Sequence, residues 1–496
     1  MKFRDIQEEA KHSALSFQTR RHFLGQCRTG MGLMAFGSML QGCDFFGSGA
    51  QTQSLNTNPL KPKAPHFQGK AKSVIFLHMA GAPSQLEMFD YKPELQKMNG
   101  QDCPDSFIQG KKFAFIRGVP KLLGPQTNFK QYGEGGLWLS DNLPHFRQVV
   151  DDVSILKAVN TDQFNHAPAQ LLMHCGSPRL GKPSMGSWVT YGLGSENSNL
   201  PGFVVLTSGG NNPDAGKSVW GSGFLPSMYQ GVQCRSKGDP VLFLKDPKGF
   251  DRDMRKSSIE AINKVNELSY SEYKDPEILS RISQYEMAFK MQIAVPEVMN
   301  ITDEPQYIHD MYGTKPGEES FANNALLARK LVEKGVRFVQ LFDWGWDSHG
   351  DGPVNSLVDG FRTKCMQTDK VVSALLIDLK QRGLLEETLV VWGGEFGRTP
   401  MQENRDGIQN GHPGRDHHSD AFCMWMAGGG IKGGFSYGET DPIGYNPIEG
   451  KVSVYDVQAT ILNQLGFDHE KLNYEFQGRQ FRLTDVFGKV IDPIIA

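Results

Sequence analysis

Short apolar runs alternate along the chain with longer segments whose apolar residues recur at helical spacing. The short runs are rich in β-branched and aromatic residues and are bounded by turn residues, a pattern typical of strands buried on both faces of a sheet. Six such strands are predicted, at residues 74–77, 153–159, 203–207, 336–342, 388–392 and 421–427.

Helical spacing predicts helices over residues 319–335 and 357–383, each closed by a glycine. Residues 251–295 carry no strand signal and are predicted to form a helical insertion. Strands that alternate with helices are the signature of a layered α/β fold. The sequence therefore predicts a three-layer α/β domain, with a mostly parallel central sheet and helices on both faces, over residues 73–490.

Composition narrows the class of protein. With 39% hydrophobic and 22% charged residues among 496, the chain has the composition of a folded globular protein. A net charge of −3 gives no general electrostatic reason to bind nucleic acid, so we expect no nucleic-acid partner.

The first 43 residues resemble a twin-arginine export signal. Arg20 and Arg21 precede an aromatic residue and a leucine, and an apolar run follows at residues 31–40, which is about half the length that a membrane-spanning helix needs. The alternative is an ordinary amphipathic helix. We expect an exported protein, either periplasmic or anchored to the inner membrane of the cell envelope.

Cys43 closes this segment in what looks like a lipoprotein cleavage box, so it is a possible lipid anchor. A simple cleaved signal is the alternative. Residues 44–72 are polar and contain three prolines in their second half, which predicts a linker. The five later cysteines are widely spaced, with no CxxC pair, and predict buried thiols rather than a disulfide framework.

Polar, chemically capable residues cluster next to the predicted strands, at positions where ligands gather in such sheets. Asp347 and His349 follow one strand, Glu395 follows another in a glycine-rich turn, and His417 precedes a third. Carboxylates and imidazoles from separate loops suit a divalent metal such as zinc or, with more oxygens, calcium, magnesium or manganese. The alternatives are a solvated Asp-x-His turn, a Glu395–Arg398 ion pair and a surface histidine doublet at 417–418.

A second group follows the strand at residues 153–159. It comprises Thr161, Asn165 and His166, and a helix is predicted to begin just after them. A helix start offers free N–H groups to an anionic tetrahedral group. Asn165 could donate to an oxyanion, and Thr161 could act as a nucleophile if a metal lowered its pKa. A capped helix with a local Asn–His bond is the alternative.

Several of these segments resemble one known family. They are residues 74–90 (VIFLHMAGAPSQLEMFD), 165–168 (NHAP), 183–194, 321–347, 393–400 (GGEFGRTP), 414–418 (GRDHH), 427–440 and 454–466. These segments resemble motifs of the family called domain of unknown function 1501. They occur in the order expected for that family and together span nearly the whole mature chain. Its members are sulfatase-like exported proteins of the alkaline phosphatase superfamily.

The resemblance implies hydrolysis of phosphate or sulfate esters with one or two metals. It implies that Asp347 and His349 form the first-metal pair, that His417 completes that site, and that Glu395 is the acid of a second metal. The segment from Thr161 to His166 is similar to the nucleophile segment of the nucleotide-pyrophosphatase branch.

Two departures from the family pattern concern the metal ligands. No aspartate ends the first strand, which leaves Glu87 or Asp90 as substitutes, and Phe396 stands where many members have a second histidine. These departures favour a one-metal site or unusual chemistry. The sequence thus predicts an exported, metal-dependent ester hydrolase whose substrate is a small molecule or a polysaccharide. The alternative is a non-catalytic binding protein of the cell envelope that kept the fold.

Overall fold

The computed structural model describes residues 59–111, 113–241, 249, 251–405, 408–409 and 411–496. The predicted export signal at residues 1–43, with its arginine pair and Cys43, lies outside these residues, and so does the linker as far as residue 58. Of the helices described, none combines the length and apolar character needed to cross a membrane.

The strands in chain order are β1 Ser73–Ala80, β2 Phe129–Tyr132, β3 Leu137–Ser140, β4 Val153–Asn160, β5 Phe203–Ser208, β6 Val232–Cys234, β7 Phe338–Trp344, β8 Thr388–Gly393, β9 Gly397–Arg398, β10 Asn404–Arg405, β11 Ile408–Gln409, β12 His417–His418, β13 Phe422–Ala427, β14 Phe435–Tyr437, β15 Glu439–Thr440, β16 Pro447–Glu449, β17 Val452–Ser453, β18 Tyr474–Phe476 and β19 Arg479–Phe481. The α-helices are α1 Pro93–Lys97, α2 Asp105–Ile108, α3 His166–Cys175, α4 Met185–Leu193, α5 Arg252–Tyr273, α6 Pro276–Met299, α7 Gln306–Tyr312, α8 Phe321–Glu333, α9 Gly360–Gln381 and α10 Val454–Gln464.

Nine strands form one central sheet in the order β14-β4-β13-β8-β1-β7-β5-β6, with β17 paired to β4. Every pairing in this sheet is parallel except those of β13, which runs antiparallel to both β4 and β8. All six predicted strands belong to it. The predicted fold class, a mostly parallel sheet between helices, is confirmed.

Alternate residues of β1 enter two different cores, which is why this strand reads as a continuous apolar run. Ile75 and Leu77 pack in one core with residues of α8 and α9. Val74 and Phe76 pack in the other core with residues of α3, α4 and α10. The helices therefore cover both faces of the sheet and make the three layers that the sequence predicts.

The predicted helices are found with small shifts of their ends. Helix α8 begins after Ser320, whose hydroxyl accepts the backbone N–H of Asn323 at 3.1 Å, a capping bond that fixes the first turn. The predicted insertion consists of two long helices, α5 and α6, and α6 continues four residues beyond the predicted end to Met299.

Five cysteines are described, at positions 103, 175, 234, 365 and 423, and all are buried free thiols. Burial raises the pKa of Cys175 and of Cys234 to about 12, because an apolar surrounding disfavours the thiolate. They pack as small apolar side chains, as the sequence predicts.

Candidate functional site

One edge of the central sheet gathers the predicted site residues. Strands β4, β7 and β8 end at this edge and are followed by His166, by Asp347 with His349, and by Glu395. Strand β13 begins at the same edge because it runs antiparallel, so His417, in β12 just before it, reaches the same place.

Three imidazoles surround one carboxylate oxygen. The Nε2 atoms of His349, His417 and His166 lie 2.8, 3.4 and 3.5 Å from Oδ1 of Asp347. The Nε2 atoms of His349 and His417 are 3.2 Å apart. We call these four residues, His166, Asp347, His349 and His417, the three-histidine cluster.

The other ring nitrogen of each histidine meets an acceptor. Nδ1 of His166 lies 2.6 Å from Oε1 of Glu395, Nδ1 of His417 lies 2.7 Å from the carbonyl oxygen of Phe164, and Nδ1 of His349 contacts a carboxylate oxygen of Glu403. A carbonyl can only accept, so His417 carries its proton on Nδ1 and presents a lone pair at Nε2. The carboxylates favour the same tautomer in the other two rings whenever those rings are neutral.

This donor set fits a divalent cation. Metal-binding histidines usually donate their second N–H to a carboxylate or a backbone carbonyl, as all three do here. Ligand atoms of His166, Asp347 and His417 all lie within 4.8 Å of one another. The Nε2 atom of His166 is buried and has no hydrogen-bond partner among the described residues.

The electrostatics of the cluster centre on Asp347. Burial alone would raise its pKa, but the Arg398 guanidinium and the three imidazoles hold the pKa of Asp347 well below its ordinary value. Burial also opposes the charged form of His166, yet the carboxylates of Asp347 and Glu395, one on either side of its ring, raise its pKa to about 9. Burial, with the nearby Arg398 and the other imidazoles, lowers the pKa of His417 to about 4.

Arg398 is fully buried and makes no ion pair with Glu395, so that predicted alternative is wrong. Its guanidinium donates to the carbonyl oxygens of Ala82, Gly81 and Arg415 at 3.0, 2.6 and 3.0 Å, and to Oδ1 of Asp347. Because backbone acceptors on two loops fix this guanidinium, it also fixes the position of the Asp347 carboxylate. The predicted alternative of a surface histidine doublet is wrong as well, since residues 417 and 418 are both buried.

Glu395 lies behind His166 and is fully buried. Besides His166, its carboxylate accepts from the backbone N–H of Gly81 at 3.1 Å and from Nε2 of Gln170 at 3.2 Å, and it lies 3.3 Å from Nε2 of His78. Burial opposes its charge, but its two histidine neighbours hold the pKa of Glu395 well below the ordinary value. It also belongs, with His166 and the exposed Asp214, to a second group of potential ligands.

A buried chain of side chains that the sequence analysis missed leads to Glu395. Nε2 of Gln340 lies 3.0 Å from Nδ1 of His174, and Nε2 of His174 lies 3.1 Å from Nδ1 of His78. Since Gln340 supplies an amide donor, the protons point along this chain toward Glu395. The sequence held one signal for this chain of side chains, namely His78, a histidine within a strand that is buried on both faces. The other missed residue, Glu403, has no such signal in its flanking sequence.

The segment before α3 is placed next to the cluster through His166. Asn165 is exposed at the helix start, and its side chain makes no capping hydrogen bond, so the predicted alternative of a side-chain cap is wrong. Thr161 is 8% exposed, and its hydroxyl accepts the backbone N–H of Gln163 at 3.3 Å. The structure thus brings His166 into the cluster and leaves Thr161 in a turn on its own segment.

The two acids considered as substitutes for the missing first-strand aspartate lie elsewhere. Glu87 pairs with Arg415 at 2.7 Å, and Asp90 accepts from Thr440 at 2.6 Å and pairs with Lys92 at 3.2 Å. Both expectations are wrong, because buried cations and a hydroxyl already satisfy these carboxylates. Phe396 instead packs on the cluster, with its ring centre 4.6 Å from that of His417 and 4.9 Å from that of His166.

Comparison with solved structures finds phosphatases, sulfatases and related enzymes. A mutant of TAB5 alkaline phosphatase with Mg bound in its M3 site is 12% identical, with a TM-score of 0.32 over 81% of this chain and 100% of that one. The PsFucS1 sulfatase from Pseudoalteromonas sp. is 11% identical, with a TM-score of 0.35 over 81% of this chain and 69% of that one. The lipoteichoic acid synthase LtaP from Listeria monocytogenes is 10% identical, with a TM-score of 0.29 over 87% and 79%.

No curated protein matches the chain. One family model does, over residues 71–495, and its description reads "Protein of unknown function (DUF1501)". That range takes in the whole central sheet and every residue of the three-histidine cluster. The resemblance seen in the sequence is confirmed: the chain belongs to the DUF1501 family.

Proposed function

We propose that the protein is an exported, metal-dependent hydrolase of phosphate or sulfate esters. The observation that carries this proposal is the three-histidine cluster, in which three Nε2 atoms face one carboxylate while each Nδ1 is held by an acceptor. Imidazoles that converge on one point, each oriented by an acceptor behind it, are the usual arrangement of metal-binding histidines.

His166, His349, His417 and Asp347 would hold one divalent cation. Three imidazoles and one carboxylate favour zinc over the harder ions calcium, magnesium and manganese, which prefer oxygen ligands. Glu395 and Glu403 would act one step further out, by orienting His166 and His349. A bound divalent ion would supply Lewis acidity at an ester oxygen.

The start of helix α3 supports the binding of an anionic ester group. The backbone N–H groups of His166 and Ala167 have no intrahelical acceptor at this end of the helix, and Pro168 has no N–H. The exposed side chain of Asn165 can add a donor. Thr161 is the proposed nucleophile of this segment, since its hydroxyl accepts one hydrogen bond and keeps its own proton for a base.

The sequence supplies the proposed location. The arginine pair at positions 20 and 21 supports export to the periplasm, and Cys43 supports a lipid anchor in the cell envelope. We propose a small-molecule or polysaccharide ester as the substrate.

The experiment is metal analysis of the purified protein, together with hydrolysis of aryl phosphate and aryl sulfate in the presence of zinc, manganese, magnesium or calcium. We expect about one bound divalent ion per chain and metal-dependent turnover of one ester class. A protein that holds no divalent ion, and whose hydrolysis no added metal restores, would overturn the proposal.

The second candidate is a binding protein of the cell envelope that has no catalytic activity. The ion pair between Arg398 and Asp347 favours it, because the guanidinium already partly neutralises the carboxylate that a cation would need. Changing Asp347 and His349 together to alanine separates the two functions. The double variant loses activity if the protein is a hydrolase and keeps ligand binding if it is a binding protein.

A further inference from the structure

A cavity of about 780 Å³ opens at the carboxyl ends of β5 and β6, at the same sheet edge as the three-histidine cluster. Its lining includes Thr207 at the end of β5 and Gln233 in β6, whose side-chain amide donates to the Thr207 hydroxyl at 3.3 Å. Asn211 and Asn212 line another part of it. The cavity is therefore large and rich in amide and hydroxyl groups.

The cavity also carries an excess of positive charge. Among the residues that the structure describes, Lys217, Arg235 and Lys237 line it, and the one carboxylate among them is that of Glu319. All three cations are exposed, and none has an ion pair within the part of the chain that the structure describes. Like charges held around one cavity repel one another, so an anion that enters it gains from all three.

One buried polar atom of the lining is left without a partner. The hydroxyl of Ser236 is buried and has no hydrogen bond with any described residue. A buried hydroxyl without a partner costs free energy, so Ser236 marks a polar position of the cavity wall that the described residues leave unsatisfied.

A single loop joins the cavity to the candidate metal centre. Asn211, Asn212 and Lys217 line the cavity, and two residues between them contact Gln170: Asp214 accepts from the Gln170 amide at 3.0 Å, and the N–H of Ala215 donates to its carbonyl oxygen at 3.1 Å. Gln170 in turn donates to Glu395 at 3.2 Å. Gln170 thus links the loop that lines the cavity to the carboxylate behind His166, and both lie at the same edge of the sheet.

We propose that this cavity binds an acidic oligosaccharide. Lysine and arginine side chains recognise sulfate, phosphate or carboxylate groups, while amides and hydroxyls pair with sugar hydroxyls. The cavity would hold the sugar units that flank the reacting ester, and in this sense the assignment rests on the proposed function. Binding itself requires no hydrolysis, so the two can fail separately.

The test measures binding of a sulfated hexasaccharide, and of the same hexasaccharide after desulfation, to the purified chain by calorimetry. The cavity variant combines Lys217→Gln, Arg235→Gln and Lys237→Gln. The matched control combines Lys97→Gln, Lys471→Gln and Arg479→Gln, which removes the same charge from well-exposed cations outside the cavity lining. Thermal melts confirm that both variants fold.

We expect the sulfated hexasaccharide to bind the wild-type chain and the control, and to bind the cavity variant at least about tenfold more weakly. The desulfated hexasaccharide should bind all three weakly. An equal loss of affinity in both variants would mean that only overall charge matters and would overturn the proposal, as would failure of the wild-type chain to bind. If binding follows the expectation but no ester is hydrolysed, the cavity assignment stands and the hydrolase function falls.

Discussion

The Nε2 atoms of His349 and His417 lie 3.2 Å apart, and each ring has its Nδ1 fixed by an acceptor. When both rings are neutral, each Nε2 turns a lone pair toward the same point, and a divalent cation there would bind both lone pairs. The folded state should therefore bind a divalent ion that the unfolded chain binds weakly, which links metal binding to stability.

Adding zinc to chelator-treated protein should raise the free energy of unfolding by about 2.7 kcal/mol at a free zinc concentration of about 100 times Kd. The measurement is the shift in Tm as a function of zinc concentration. His349→Gln should abolish most of the shift because the amide replaces an oriented imidazole. His145→Gln, at an exposed histidine outside the cluster, should keep the shift. The same Tm with and without zinc in the wild-type chain would contradict the metal site.

Glu395→Gln tests whether the carboxylate behind His166 supports metal binding. The substitution places an amide N–H₂ among donors from Gly81, Gln170 and two histidines, and it removes the charge that orients His166. We expect zinc affinity to fall about 10–100-fold. The free energy of unfolding should fall by about 1–3 kcal/mol, because buried donors lose their acceptor. Competition with a chromogenic chelator measures the affinity.

The control for this variant is Glu387→Gln, at a half-exposed carboxylate that pairs with Lys72 on the surface. It should change stability by about 0–1 kcal/mol and leave zinc affinity alone. If the two variants bind zinc equally well, Glu395 has no part in the metal site.

Gly81→Ala should disturb the cluster from the end of β1. Gly81 has a φ of +110°, and a Cβ there would lie 2.5 Å from the backbone nitrogen of Asp347 and 2.9 Å from the carbonyl carbon of Trp346. Backbone cannot give way as a flexible side chain can, so the loop that carries Asp347 must move. We expect a loss of zinc affinity in addition to a loss of stability.

Gly100→Ala is the matched control, because Gly100 has a φ of +79° and a Cβ added there would meet no atom within 4 Å. Both alanines bear the strain of a left-handed backbone, about 1–2 kcal/mol. Only Gly81→Ala should weaken zinc binding in the chelator competition. Equal zinc affinity in the two variants would show that the contact with the Asp347 loop does not matter.

Export is tested by changing Arg20 and Arg21 together to lysine. A twin-arginine signal requires the arginine pair, so we expect the protein to accumulate in the cytoplasm of the producing cell. Cell fractionation followed by immunoblotting measures this. Arg28→Lys is the control and should leave export intact. Periplasmic accumulation of the double variant would leave the amphipathic helix as the better interpretation of this segment.

The sheet could be predicted from the sequence because its strands are buried on both faces. The run at residues 74–77 has no polar residue, since Val74 and Phe76 face one core while Ile75 and Leu77 face the other. Three residues of the cluster, His166, Asp347 and His349, lie in or just after the loops that follow strands β4 and β7. In a mostly parallel sheet such loops meet at one edge. Local pattern and fold class together sufficed to place them near one another.

The partners of these residues could not be predicted in the same way. Arg398 is three residues from Glu395 in sequence yet pairs with Asp347, because its guanidinium is directed by carbonyl oxygens on distant loops. Glu403, which meets His349, is 54 residues away from it along the chain. Such contacts depend on how loops pack over the sheet, and no periodicity encodes this packing.

The five buried thiols bear on where the chain can fold. Each is shielded within the layers of the fold and none is cross-linked, so this part of the molecule reaches its native state without an oxidant or a disulfide isomerase. This part of the chain can therefore fold fully in a reducing compartment. It could then cross a membrane in the folded state. An oxidising destination would leave these sulfurs unchanged, because a thiol whose pKa is raised to about 12 in Cys175 and Cys234 forms almost no thiolate to react.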